Sequence, residues 1–181
     1  MDTPFMTFMA EGLARHDCRV GRFEFPYMAE RRQTGKRKPP NSAQVLMDTW
    51  RAAINTCRAK QVVIGGKSMG GRIASMIADD ADVKGLVCLG YPFYGAGRRD
   101  KPRIAHLETL KTPTLICQGE RDKLGDRVEV ETLKLSRKIA LHWCPDGDHD
   151  LKPRKASGRT HEQNLNGALD AIVRFLAALP P

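Results

Sequence analysis

Residues Val62 to Arg72 read V-V-I-G-G-K-S-M-G-G-R, and this stretch restricts the fold more than any other. A short β-branched run stops at glycines, presents one serine, and resumes as helix-compatible sequence through Ala78. Gly66-Lys67-Ser68-Met69-Gly70 fits G-x-S-x-G, a strand-to-helix turn that lifts a serine hydroxyl clear of a sheet. Such a turn strains the serine and brings the residues two before and two after it together, which is why glycine is expected at both. G-K-S also ends phosphate-binding loops, but that motif needs a glycine five residues before the G-K pair. Position 61 is Gln61 and Val62-Val63-Ile64 read as strand interior, so a phosphate loop is excluded.

The rest of the chain alternates in the same style. Asp2 or Thr3 can cap a helix over 5–15 with Pro4 at its first position, and 20–25 alternates like a strand up to Pro26. Residues 31–40 read as a basic loop, and Asn41 or Ser42 caps a helix to about Lys60. Strands are expected at 85–90, 112–119 and 139–144, with helices at 104–110, 128–138 and 160–179 and a loop at 91–103. Continuous apolar strands separated by helices imply a mostly parallel, doubly wound sheet in a three-layer α/β/α sandwich. No repeat or linker interrupts residues 1–181, which read as one domain without a lid.

Composition narrows the setting. No run of 18 apolar residues and no basic-then-apolar leader is present, so no membrane span is expected. Five cysteines, an odd number without C-x-x-C spacing, read as reduced thiols of a cytoplasmic protein rather than a disulfide or zinc framework. Neither a metal nor a cofactor is expected. The net charge is +9, and much of the excess lies in clusters at 31–38, 98–103 and 152–159. Each cluster follows a strand-like run, hence lies on the rim where open α/β sheets bind ligands. The plain account of such runs is solvated surface; the sharper one is a positive approach favouring an anionic substrate, with Arg98, Arg99 and Lys152 as candidates.

A serine hydroxyl needs a base to take its proton and a carboxylate to orient that base. Asp122 follows the strand at 112–119, and His149 lies in D-G-D-H-D after the last strand, both on the rim that carries Ser68. Asp122 could instead cap a following helix and His149 could be a solvated loop residue; the turn at Ser68 favours the catalytic reading. Glu120 is the alternative acid. His16, His106, His142 and His161 are weaker bases, and Ser75 and Ser136 lack the glycine turn.

The segments F-E-F-P-Y-M-A-E-R-R-Q-T-G-K-R-K-P-P, G-G-K-S-M-G-G-R, G-Y-P-F, P-T-L-I-C-Q-G-E-R-D and G-D-H-D-L-K-P-R span nearly all of 1–179. Together they resemble the small, lidless, dienelactone-hydrolase-like branch of the α/β-hydrolases. Within it the chain is similar to bacterial hydrolases related to a subunit of a eukaryotic histone-acetyltransferase complex. The resemblance implies Ser68 as nucleophile, Asp122 as acid, His149 as base and the Met69 N–H as an oxyanion donor. Relatives also carry, ahead of Met1, a strand ending in an H-G-x-G-type loop that gives a second oxyanion N–H; that strand lies between 20–25 and the elbow strand. The sequence begins just past it, which implies either an internal start or a truncated, five-stranded variant. Losing one oxyanion donor typically costs about 10²–10³ in rate. A second copy of the chain in a homodimer is one way to fill the gap.

Two functions are therefore expected to compete. One is a serine hydrolase cleaving an ester, thioester or similar acyl bond of a small-molecule substrate. The other is a weakly active or inactive scaffold whose basic surface binds nucleic acid or an acidic protein. No aromatic-rich basic strand or nucleic-acid motif is present, which counts against nucleic acid.

Overall fold

The computed structural model describes residues 2–180; Met1 and Pro181 lie outside the described residues. Four strands form one parallel sheet in the order β1-β2-β3-β4: Val63–Lys67, Gly85–Leu89, Thr114–Gly119 and Ile139–Cys144. The six helices among the described residues are α1 Pro4–Ala14, α2 Pro26–Thr34, α3 Ala43–Thr56, α4 Met69–Ser75, α5 Arg127–Val130 and α6 His161–Ala177. Thr3 caps α1, Ser42 caps α3, and Thr160 with Gln163 forms a reciprocal capping box on α6.

The sheet is apolar on both faces, and successive strand residues divide between two cores. Leu86, Cys88 and Ile116 face Leu46 and Trp50 of α3 and Ile73 of α4. Val87, Leu89, Leu115 and Cys117 face Met9 of α1 and Leu165, Leu169 and Ile172 of α6. Helices thus cover both faces, as the uninterrupted apolar strands require. Cys88, Cys117 and Cys144 are buried in these strands, and all five cysteines are free thiols. No helix among the described residues is long and apolar enough to cross a membrane.

Several expectations fail, each because tertiary packing outweighed a local pattern. The fifth strand at 20–25 does not form, so the sheet has four strands rather than five. Its alternation comes from ring packing. Phe23 meets Trp50 edge-on with centroids 4.6 Å apart, and Phe25 is buried beside it, while the backbone pairs with no strand. The basic stretch is not all loop, since α2 runs to Thr34 and ends on Gly35 in the left-handed region. Residues 104–110 form turns, not a helix, with Ile104, Leu107 and Leu110 buried at three-residue spacing. The helix expected at 128–138 stops at Val130; Ser136 N–H and Oγ–H instead donate to Leu107 O and Leu110 O.

Candidate active site

Ser68 sits between β1 and α4 with φ 53° and ψ −120°, a conformation that non-glycine residues seldom adopt. Its N–H donates to Leu89 O at 2.9 Å, tying the turn to the end of β2. The close approach expected of the flanking glycines is real on one side and displaced on the other. A Cβ at Gly66 would lie 2.8 Å from Gly70 C and Gly71 N, whereas one at Gly70 would meet nothing within 4 Å. Gly71 is the tight residue after the serine: a Cβ there would lie 2.5 Å from Gly66 O. Trp50 Nε1–H donates to Gly70 O at 3.3 Å, anchoring the turn to α3.

His149 comes from the loop after β4 and Asp122 from the loop after β3. His149 Nε2 lies 2.8 Å from Ser68 Oγ, and its Nδ1 lies 2.7 Å from Asp122 Oδ2. Asp122 is fully buried, while the His149 side chain keeps 28% exposure. An ionised carboxylate only accepts, so Nδ1 carries the imidazole proton and Nε2 is left to accept from Ser68. The carboxylate is held by two further donors, Leu124 N–H to Oδ1 at 2.8 Å and Gln118 Nε2 to Oδ2 at 2.9 Å. Gln118 also bonds the Tyr91 backbone in both directions. Sequence reasoning passed over Gln118; the signal was a glutamine at the end of an otherwise apolar strand.

The histidine loop is shaped by its own acids. Asp148 Oδ1 accepts from Asp150 N and Lys152 N at 2.8 and 3.0 Å, turning the chain around His149. Asp146 accepts from Arg154, whose hydrogen bonds hold its carboxyl at about 2, well below the usual range. Lys67 and Asp150, neighbours of Ser68 and His149, close an ion pair at 2.6 Å, and that contact lowers the Asp150 carboxyl.

The rival residues are engaged elsewhere. Glu120 accepts from Asp146 N and Arg127, so it does not compete for His149. His161 pairs with Asp150 O. Met69 opens α4, where its N–H has no preceding turn to accept it and adjoins Ser68. Of the basic candidates, Arg98 is exposed beside Asp100, and Lys152 is exposed in the histidine loop. Arg99 is committed to Glu129 and to Lys123 O at 3.2 Å, so it is tied to the α5 region rather than free for a ligand. No cluster of three or more metal-ligating side chains occurs among the described residues.

A family model described as alpha/beta hydrolase domain matches residues 1–177. The chain belongs to the α/β-hydrolase family. Solved structures agree on the fold. An α/β serine hydrolase without a lid from Xanthomonas campestris superposes with TM-score 0.69 at 20% identity, covering 99% of this chain and 77% of that one. An α/β serine hydrolase homologue from Coxiella burnetii gives 0.67 at 19%, covering 96% and 76%. A hydrolase of the α/β superfamily from Xanthomonas campestris pv. campestris gives 0.67 at 21%, covering 98% and 92%. In this α/β-hydrolase the sheet, the turn after β1 and the loops after β3 and β4 are the parts that assemble the site.

Proposed function

We propose that this α/β-hydrolase is a serine hydrolase of the lidless, dienelactone-hydrolase-like type, cleaving an ester, thioester or similar acyl bond in a small substrate. The observation that carries the reading is the unbroken line from buried Asp122 through His149 to Ser68, at 2.7 and 2.8 Å. A proton acceptor, its orienting carboxylate and a serine on a strained turn are what acyl transfer requires.

In this reading Ser68 Oγ bonds to the acyl carbon while its proton passes to His149 Nε2. The carbonyl electron pair moves onto oxygen, facing the Met69 N–H. Collapse breaks the bond to the alcohol or thiol, which takes the proton from His149 and leaves an acyl-serine. Water then repeats both steps, giving the acid and free Ser68. Asp122 stays ionised throughout and stabilises the imidazolium. The loop between Gly90 and Arg103 inserts no lid helix, which favours small or flexible substrates in an open site.

A fluorophosphonate probe tests this directly. One label per chain is expected, mapped by peptide mass spectrometry to Ser68 and lost in Ser68→Ala. A folded wild-type protein left unlabelled would sink the proposal.

A further inference from the structure

A cavity of about 450 Å³ opens between α4 and the 95–106 segment, and none of the three residues discussed above lines it. Arg72, Arg98, Lys101, Arg103 and His106 line it, and no carboxylate does. Arg98 has Asp100 at 4.0 Å; among the described residues Arg72, Lys101 and Arg103 form no ion pair. Arg72 Nε is buried and has no hydrogen-bond partner. Guanidinium and ammonium groups can only donate, and no carboxylate lines the cavity, so what it lacks is an acceptor-rich, negatively charged group.

The backbone beneath two of the cations is also held in place. Ser75 Oγ–H donates to Arg72 O at 2.7 Å, and Tyr91 O–H donates to Arg103 O at 3.0 Å. With both hydroxyl protons spent on carbonyls, His106 Nε2 donates, 2.8 Å from Ser75 Oγ and 3.5 Å from the Tyr91 oxygen. One network thus links the backbone of Arg72 to that of Arg103. Burial and the Arg72 charge favour neutral His106, so the network itself adds no further positive charge.

We infer that this cavity is a binding site for a phosphate-sized, multiply charged anion, with Ser75, His106 and Tyr91 as its scaffold. A dianion matches several convergent cations where a single carboxylate would leave most of them unneutralised, and guanidinium forks suit phosphate oxygens in particular. Arg72 lies one turn along α4 from Ser68, its N–H donating to Ser68 O at 3.0 Å, but none of Ser68, Asp122 and His149 lines the cavity. The inference does not rest on the acyl-transfer reading. The anion is either a free phosphate compound or the phosphorylated end of an acyl substrate.

Thermal unfolding of the full chain in inorganic phosphate, against sodium chloride at matched ionic strength, tests it. Phosphate is expected to raise Tm saturably by a few degrees. Arg72→Gln and Arg103→Gln should each weaken phosphate about tenfold, the worth of one charge-assisted contact. Arg98→Gln/Lys101→Gln, confined to exposed side chains, should weaken it as well and serves if Arg72→Gln fails to fold. A rise no larger than chloride gives, or an unchanged phosphate midpoint in every folded variant, overturns the inference. Phosphate that slows hydrolysis of a phosphorylated aryl ester but not of a neutral one assigns the site to the substrate's end. Saturable stabilisation without such competition assigns it to a separate ligand. Phosphate binding by a protein that no fluorophosphonate labels would leave this site standing while the hydrolase proposal falls.

Discussion

Two serine–histidine pairs hang from the two ends of α4, and both measure 2.8 Å: Ser68 with His149 before its first turn, Ser75 with His106 at its last. Distance alone cannot tell them apart; everything around them does. Ser68 has a positive φ and stands on the rim, whereas Ser75 lies in regular helix and is 2% exposed. The Ser75 proton already goes to Arg72 O, so His106 has none to accept. His149 has buried Asp122 behind its second nitrogen; Tyr91 approaches the same Nε2 of His106 that faces Ser75, and a nearby arginine takes the place of a carboxylate. A nucleophile is made by where its proton can go, and a structural pair by having nowhere left to send it.

That contrast can be broken most directly by deleting each hydroxyl. Ser68→Ala is expected to lower kcat by about 10⁶ without unfolding the protein, while Ser75→Ala leaves kcat within about threefold and costs roughly 1–2 kcal/mol of stability. Comparable losses of kcat from both, on an aryl ester assay, would erase the distinction. Asp122→Asn should cost about 10⁴ in kcat, because an amide that donates toward Nδ1 selects the wrong tautomer. An assay showing less than about tenfold loss would mean that Asp122 does not orient His149.

Smaller effects sharpen the backbone side of the comparison. Gly71→Ala forces a Cβ to within 2.5 Å of Gly66 O and 3.2 Å of Cys88 Sγ. It should destabilise by roughly 1–3 kcal/mol in urea denaturation. Gly70→Ala enters open space in a helix and is expected to be neutral or to stabilise by up to about 1 kcal/mol. The reverse order would show that the turn is braced elsewhere.

The smallest effect is in pH. Burial, then the Arg72 charge, depress the His106 pKa, so the unfolded chain takes up that proton first as pH falls. Stability tied to neutral His106 is therefore complete above the ordinary value of about 6.5 and is lost as pH drops from there through the folded value. His106→Gln should flatten the fall of Tm below about pH 6.5 relative to wild type. An equally steep profile in the variant would place the acid sensitivity elsewhere.

The parts legible in the sequence were those that depend on neighbours along the chain. β1 to β4 announced themselves as apolar runs, and the helix starts were legible to within a residue, at Asp2 or Thr3, at Asn41 or Ser42 and at Thr160; the structure puts the caps on Thr3, Ser42 and Thr160. The turn at Ser68 was legible from its glycines, although the contacts that exclude a side chain fall on Gly66 and Gly71 and not on Gly70. Local pattern misled wherever burial had another source. Phe23 and Phe25 alternate because they pack on Trp50, and Ile104, Leu107 and Leu110 are buried through turns rather than a helix. Gln118 was invisible because its use depends on Asp122, Tyr91 and Gly125 converging around one amide.

By itself the sequence determined which residues could do chemistry and which end of the sheet they would occupy, since strand direction and loop order follow from the apolar pattern. Only the tertiary structure decided what each of them touches. It set His149 2.8 Å from Ser68 and 2.7 Å from Asp122, the partners expected from their order along the chain, left Glu120 to Arg127, and gathered Arg72 and Arg103 around one cavity. Hydrogen-bond partners form over a few ångströms in space between residues far apart along the chain, and no local periodicity encodes that distance.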